Sequence, residues 1–185
     1  MSPLTDKNRA AILPRMKFPW PIVPNRGIRG IDPPPWGSGG YHAPRQRSCA
    51  DKAPTCPACK GTGRVHCLHD GLDFLGEPGD LLQGFFEEAL VTHKGVAYTT
   101  GDLGSIHLQG QGSAAGYSAK VLYCALRPTL KIGSRIAVGD AIATVQDVAG
   151  YHASKSSAST RMSNHVHLKL YLDSEEINPS GYFLG

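Results

Sequence analysis

The stretch from Asn164 to Leu172 constrains the fold most strongly, because its polar and apolar residues alternate without interruption. Val166, Leu168, Leu170 and Leu172 alternate with His165, His167, Lys169 and Tyr171. A period of two predicts a β-strand with one buried face. Residues two apart in a strand lie about 6.6 Å apart on one face, so His165 and His167 can reach the same small object. Two unrelated surface histidines are the alternative interpretation.

A second group of polar residues, His69-Asp70-Gly71-Leu72-Asp73, favours a shared site. On a straight strand, His69 and Asp73 would lie about 13 Å apart, too far to bind one ion. Gly71 lies between them, and glycine allows the backbone to bend sharply. His69, Asp73 and one histidine of the pair would then form a set of two histidines and one carboxylate. This is the ligand composition of a catalytic zinc site with a fourth position for water.

The two motifs, H-x-G-x-D and a distant H-x-H, resemble those of the lysostaphin-type (LytM-like) zinc endopeptidases, which cut peptide cross-links in bacterial cell walls. The resemblance spans about residues 18–184. Four further segments also resemble family motifs, in the family's order: Phe18 to Ile22, Gly40 to Arg45 as its G-x-x-x-x-R approach to the metal, Lys131 to Ala143, and Ile177 to Leu184.

The resemblance implies zinc as cofactor, with His69, Asp73 and His167 as ligands. It also implies that His165 is catalytic and acts on water as a base or an orienting group. Spacing alone does not decide which histidine of the pair binds the metal. The implied fold is all-β, mainly antiparallel sheet, with long loops and an extended N-terminal arm.

Two positions depart from the family pattern. A second catalytic histidine is expected in a Y-x-H-L strand, but this chain has Ala125 there. Losing one oxyanion donor typically lowers the rate by about 100- to 1,000-fold. Tyr123, His107 or His152 would have to replace it, although each also fits an ordinary surface or turn position. Lys169 places a cation on the metal's strand face, where it would oppose zinc binding slightly.

Composition agrees with one β-rich domain. The chain has 185 residues, with 22 glycines and 14 prolines, which suits short strands and many turns and argues against a helical bundle. Its formal charge of +4 would help it approach an anionic cell wall and would equally suit nucleic acid. No stretch is apolar for long enough to span a membrane.

We predict an N-terminal arm at residues 1–17 and a LytM-like domain at 18–185. The arm is a candidate contact for assembly partners. The proline- and glycine-rich segment 18–40 would extend over the surface, with covering of the metal site as an alternative. Residues 1–17 do not form a secretory signal, because charged residues interrupt them. The sequence therefore predicts synthesis in the cytoplasm and delivery to the wall or periplasm by a phage, a virion or a secretion apparatus, with a processed mature chain as the alternative.

Four of the five cysteines lie in a predicted insertion at about residues 46–68. They are Cys49, Cys56, Cys59 and Cys67. Cys56 and Cys59 form a C-x-x-C that resembles a zinc knuckle. Two disulfides, a structural zinc and free thiols remain open alternatives. No second C-x-x-C and no basic stripe accompany the knuckle, so we expect no nucleic-acid binding.

Secondary structure is ambiguous at residues 79–91, where propensity favours a helix and the resemblance favours two short strands that meet near Glu87 and Glu88. We predict the strands. Further strands are expected at Val96 to Thr99, Ser105 to Gln109 and Ala119 to Leu126. A long polar loop from Gln146 to Ser163 should overhang the cleft and contribute to substrate choice.

The sequence thus predicts a zinc-dependent endopeptidase-like domain that acts on peptide cross-links of peptidoglycan. The alternative is a non-catalytic metal-binding relative that serves as a structural or cell-wall-binding component of a virion or a similar assembly. Ala125 favours the alternative. The complete ligand set together with His165 favours the enzyme.

Overall fold

The structure, a computed structural model, describes residues 16–32, 37–48, 64–99, 101–155 and 161–184, with only the backbone at 45–48 and 64–66. In this part of the chain the strands are β1 (Ile22–Val23), β2 (Ile31–Asp32), β3 (Gly37–Ser38), β4 (Pro44–Ser48), β5 (Arg64–Leu68), β6 (Leu72–Leu75), β7 (Leu81–Gln83), β8 (Glu88–Val96), β9 (Gly104–Gly110), β10 (Tyr117–Leu122), β11 (Cys124–Leu126), β12 (Arg135–Ala137), β13 (Ala141–Val145), β14 (His165–Leu172) and β15 (Glu175–Ile177). One α-helix, α1 (Val148–Ala153), and two 3₁₀ turns (Gly112–Ala114 and Pro179–Gly181) complete the elements described.

The larger sheet has seven strands in the described residues, in the order β12-β8-β9-β10-β14-β15, with β6 also paired to β14. All its pairings are antiparallel. Strand β14 pairs with β10 along one edge, and with β6 and then β15 along the other. Its backbone groups are therefore bonded on both sides. Val166, Leu168 and Leu170 on its inner face are fully buried, which confirms the predicted alternation.

A smaller sheet, in the order β1-β7-β13-β11, supplies part of the apolar core together with the larger one. Its strands bury Ile22, Leu82, Ile142 and Val145, and β13 also buries Ala143 next to Ile142, where the pairing with β7 shifts in register. Each of the isoleucine, leucine and valine side chains contributes about 1.5–3 kcal/mol by leaving water. The all-β, mainly antiparallel architecture predicted from the sequence is confirmed.

Aromatic rings connect the two ends of the described chain. Phe18 forms a bridge with Phe183, and its ring lies 5.0 Å from Phe86 and 5.4 Å from Tyr117, between ring centroids. Edge-to-face packing of this kind favours the pairs beyond simple burial. The N-terminal entry segment and the C-terminal segment, which both resembled family motifs, therefore pack against the same core.

The ambiguous segment at residues 79–91 forms β7 and the start of β8, as the resemblance predicted and helix propensity did not. Leu82, Ala89 and Val91 are buried at alternate positions of these strands. Pairing with neighbouring strands and burial of one face outweigh the small intrinsic preference for a helix.

Three other predictions of secondary structure need correction. The strand predicted at Ala119–Leu126 is two strands in different sheets, because Tyr123 adopts a left-handed conformation with φ of 70° between β10 and β11. The prediction of a strand at Val96–Thr99 is wrong beyond Val96, because β8 ends at that residue. The predicted loop after Gln146 contains α1, whose first turn is capped by the Asp147 carboxylate accepting from the Gly150 N–H.

Several predictions concern residues outside those that the structure describes. The arm at 1–17 lies outside the described residues except for Met16 and Lys17, and Cys49, Cys56 and Cys59 also lie outside. The borders of the predicted insertion form an antiparallel pair, β4 with β5, in which Cys67 lies opposite Arg45. Across the described ranges, no helix is long and apolar enough to cross a membrane.

Candidate metal centre

Strand pairing brings two of the predicted site residues together. Asp73 on β6 lies directly opposite His167 on β14, and both point away from the apolar core. Neighbouring inward positions are taken by Leu72, Phe74 and Val166, which are almost fully buried. Because side chains alternate along both strands, burial of these apolar residues fixes the carboxylate and the imidazole on the outer face.

His69 reaches the same point from the turn that precedes β6. Its N–H donates to the Ala43 carbonyl, and its own carbonyl accepts from the His42 N–H. The chain bends at Gly71, as predicted. The φ of Gly71 is not in the left-handed region, however, and its lack of a side chain matters for another reason. A Cβ atom at this position would lie 2.5 Å from His167 Cε1 and 2.7 Å from the Leu168 carbonyl oxygen.

Three atoms from these residues form a small triangle. His69 Nε2 lies 3.0 Å from His167 Nδ1 and 3.2 Å from Asp73 Oδ1, and His167 Nδ1 lies 2.9 Å from the same Asp73 oxygen. All three side chains are buried. Among the described residues, this is the group of histidines, cysteines and carboxylates that comes close enough to hold one metal ion.

The outer nitrogen of each histidine has its own acceptor. His69 Nδ1 lies 2.9 Å from the Gly40 carbonyl oxygen, and His167 Nε2 lies 3.5 Å from Asp70 Oδ1. If these nitrogens carry the protons, the inner nitrogens present lone pairs to the centre of the triangle. Metal-binding histidines in proteins are typically held in this way by a carbonyl or a carboxylate.

Arg29 was not predicted to belong to the site. Its Nε and Nη2 donate to Asp73 Oδ2 at 2.9 and 2.7 Å, so that the other oxygen of Asp73 faces the histidines. Only 2% of Arg29 is exposed. The resemblance instead predicts the arginine near the metal at the end of Gly40–Arg45, but Arg45 lies on β4. The arginine that contacts the candidate ligand is therefore Arg29.

Hydrogen bonds continue from Arg29 to the predicted catalytic histidine. Arg29 Nη1 donates to Asp32 Oδ2 at 2.7 Å. Asp32 accepts from the backbone N–H and the hydroxyl of Ser163, both at 2.7 Å. The Ser163 carbonyl oxygen lies 2.7 Å from His165 Nδ1. A continuous chain of polar contacts, buried except at the half-buried Ser163, therefore joins Asp73 to His165 through Arg29, Asp32 and Ser163.

His165 lies beside the triangle without being part of it. Its Nε2 is 3.7 Å from Asp73 Oδ2, and the residue is 3% exposed. Burial lowers the pKa of His165 to about 4, so the ring is neutral near pH 7. With the Nδ1 proton directed at the Ser163 carbonyl, Nε2 can accept a proton on the side of the candidate metal centre.

The three suggested replacements for the missing histidine lie in different places. The Tyr123 ring packs edge-on against His165, with 5.4 Å between centroids. Its hydroxyl is 2.7 Å from that of Tyr98, which lies 3.3 Å from His152 Nε2 on α1. His107 lies on β9. Tyr123 therefore contacts His165 directly, and Tyr98 connects His152 to Tyr123.

Ala125 lies on β11 opposite Thr144 and is exposed. Lys169 donates to Asp70 and lies 3.5 Å from Glu176 Oε2. These two carboxylates compensate the lysine charge, so the expected opposition of Lys169 to a metal ion is reduced.

No family model matches the sequence, and no curated protein matches it. Among solved structures, Helicobacter pylori Csd3 is similar in two crystal forms. The orthorhombic form has a TM-score of 0.54 at 17% identity, covering 92% of this chain and 35% of that chain. The hexagonal form has a TM-score of 0.50 at 19% identity, covering 92% and 34%. The catalytic domain of lysostaphin from Staphylococcus simulans has a TM-score of 0.44 at 15% identity, covering 76% and 90%.

This chain spans about a third of the length of the Csd3 chains. At 17–19% identity, the likeness concerns the fold alone. The chain has a LytM-like fold.

Proposed function

We propose that this chain is a zinc-dependent endopeptidase-like domain that acts on peptide cross-links of bacterial peptidoglycan. The observation that carries the proposal is the triangle formed by His69, Asp73 and His167, with His165 beside it. The LytM-like fold supports it, since this fold was predicted from the motifs that contain the same four residues.

The donor set fits zinc. Zinc bonds to histidine nitrogen and carboxylate oxygen are about 2.0–2.2 Å long, and tetrahedral geometry then separates neighbouring ligand atoms by about 3.3 Å. The three separations here are 2.9, 3.0 and 3.2 Å. Two histidines and one carboxylate leave a fourth position for water or substrate. His69, Asp73 and His167 would therefore hold the ion.

A bound zinc ion would supply Lewis acidity, which polarises a carbonyl and makes water more acidic. The other tasks belong to the protein. His165 would take a proton at Nε2 and pass it to the leaving amine. Ser163 would hold the His165 ring through its carbonyl, and Arg29 would hold Asp73 so that one carboxylate oxygen points inward. Such a domain would act in the wall or periplasm after delivery by a phage or a secretion apparatus.

One observation favours a second candidate function, a non-catalytic metal-binding component of a virion or a similar assembly. The resemblance expects a second catalytic histidine where Ala125 lies, and Ala125 is exposed on β11. Without that donor, a metal centre could persist while the rate falls. We favour an enzyme with reduced activity, because a purely structural metal site does not require the buried contacts that orient His165.

A cleavage assay separates the two functions. Purified wild type, His165→Ala and Ala125→His would be compared on cross-linked peptidoglycan, with a chelator and zinc re-addition as controls and circular dichroism to verify folding. The enzyme proposal expects wild-type cleavage that His165→Ala abolishes. An inert wild type whose Ala125→His variant cleaves would establish the non-catalytic function.

A further inference from the structure

A row of basic side chains crosses the outer face of the large sheet next to the candidate metal centre. The strand register places four residues side by side, Lys169, Lys120, His107 and His93, on strands β14, β10, β9 and β8. We call these four residues the basic row. Lys169 is two residues from His167 on β14, so the basic row lies on the same face as the metal ligands.

Two lysines lie directly opposite each other in this row, and like charges at such positions destabilise a sheet. The charge of Lys169 is compensated by carboxylates, because Lys169 pairs with Asp70 and Glu176. Lys120 differs. Within the described ranges, no carboxylate forms an ion pair with Lys120, although its side chain is on the face that holds the metal ligands.

The side chains around Lys120 can donate hydrogen bonds without adding charge. His107 lies on its other side and packs against His93, with 4.9 Å between ring centroids. Burial, and then the charge of Lys120, lower the pKa of His107, so this imidazole is neutral near pH 7. The row thus presents one uncompensated ammonium group beside a neutral imidazole, an arrangement suited to a single carboxylate.

The position of Lys120 relative to the metal centre fits an adjacent substrate residue. Leu122 lies opposite His167, so Lys120 is its diagonal neighbour. Diagonal cross-strand neighbours are about 7–8 Å apart. An extended peptide advances about 3.3–3.6 Å per residue, so this separation corresponds to about two residues. A group bound at Lys120 would therefore belong to a residue close to the scissile bond.

We propose that Lys120 binds a free carboxylate that the substrate carries beside the scissile peptide bond. The inference rests on the proposed function and specifies its substrate class: a cross-link with a free carboxylate next to the cleaved bond, rather than one that lacks it. Lys120 is then a specificity residue, and the repulsion between Lys120 and Lys169 is relieved when substrate binds.

Two matched peptides test this inference, one with the free carboxylate and one with a carboxamide in its place. Wild type, Lys120→Gln and Lys120→Arg would be compared by kcat/KM and, independently of cleavage, by calorimetric binding. Lys131→Gln is the matched control, since it removes a charge from an exposed turn outside the basic row.

Wild type should prefer the carboxylate peptide by about 10- to 100-fold, the range expected for a hydrogen bond to a charged group. Lys120→Gln should lose that preference, mainly through KM, while Lys120→Arg and Lys131→Gln should retain it. A carboxylate preference that persists in Lys120→Gln would overturn the inference, as would equal binding of both peptides by wild type. If wild type binds the carboxylate peptide selectively through Lys120 but cleaves neither peptide, the inference stands and the proposed catalysis fails.

Discussion

Arg29 donates two hydrogen bonds to one oxygen of Asp73, at 2.9 and 2.7 Å, and thereby directs the other oxygen at His69 and His167. The two residues are 44 positions apart in the chain. Arg29 also compensates the charge of Asp32, so removing it would leave two buried carboxylates without their cation.

We expect Arg29→Met to lower the free energy of unfolding by about 3–5 kcal/mol, the usual cost of breaking a buried ion pair. Arg29→Lys should recover only part of this, because an ammonium group does not reproduce the paired contacts of guanidinium. Urea denaturation measures the free energy of unfolding of both variants. The matched control is Arg26→Gln, which breaks a solvent-exposed ion pair with Asp80 and should leave the free energy of unfolding close to that of wild type. Equal losses for Arg29→Met and Arg26→Gln would contradict this account.

Gly71→Ala should weaken metal binding. Its added methyl group would lie 2.5–2.7 Å from His167 and the Leu168 carbonyl, so the imidazole would have to move. We expect zinc affinity to fall by about 10- to 100-fold, as for other changes that reorient a ligand. Competition with a chromogenic chelator measures this.

Gly30→Ala is the control for that experiment, since a Cβ atom there would meet nothing within 4 Å. Its zinc affinity should equal that of wild type. If Gly71→Ala also binds zinc with unchanged affinity, the close approach to His167 has no role in the site.

Asp32→Asn should reduce the rate more than it reduces zinc affinity. Asp32 holds the backbone N–H and the hydroxyl of Ser163, whose carbonyl positions His165. A misplacement of about 1 Å in a catalytic group can cost about 100-fold in rate. Ser163→Ala removes only the hydroxyl and should have a smaller effect. Steady-state kinetics and zinc titration of both variants would show this difference, and a loss of zinc binding equal to the loss of rate would refute it.

Chelation should lower thermal stability. A ligand at 100 times its dissociation constant stabilises the folded state by about 2.7 kcal/mol, which is a shift of several degrees in a domain of this size. Calorimetry with and without chelator measures this shift. His167→Ala should show a smaller response to chelator than wild type, because its response would come only from any metal held elsewhere. An equal response in the two proteins would mean that the stabilising ion binds at another place.

The strands that carry the site were predictable because their patterns are local. Val166, Leu168 and Leu170 alternate with His165 and His167, and burial of the apolar side determines the direction of the imidazoles. His69 and Asp73 were linked by their spacing around Gly71. The predicted role of Gly71 was only partly correct. Gly71 lies at the bend, but its lack of a side chain also makes room for His167.

Long-range contacts and unusual backbone conformations were not predictable. Nothing in the Pro- and Gly-rich segment around Arg29 indicates that its side chain reaches Asp73, because the contact depends on how the loop folds over β6. Tyr123 interrupts the strand predicted at 119–126 by adopting a positive φ, which is rare for a bulky residue and has no sequence signal. Helix α1 did have a signal, the capping residue Asp147.

The location of zinc tests the central claim most directly. Crystals of the wild-type protein grown with zinc should show an anomalous peak at the zinc absorption edge, about 2.0–2.2 Å from His69 Nε2, Asp73 Oδ1 and His167 Nδ1. Because the peak locates the ion, this measurement also distinguishes zinc at this site from any zinc bound by the cysteines. A zinc-replete crystal without a peak among these three residues would contradict the account.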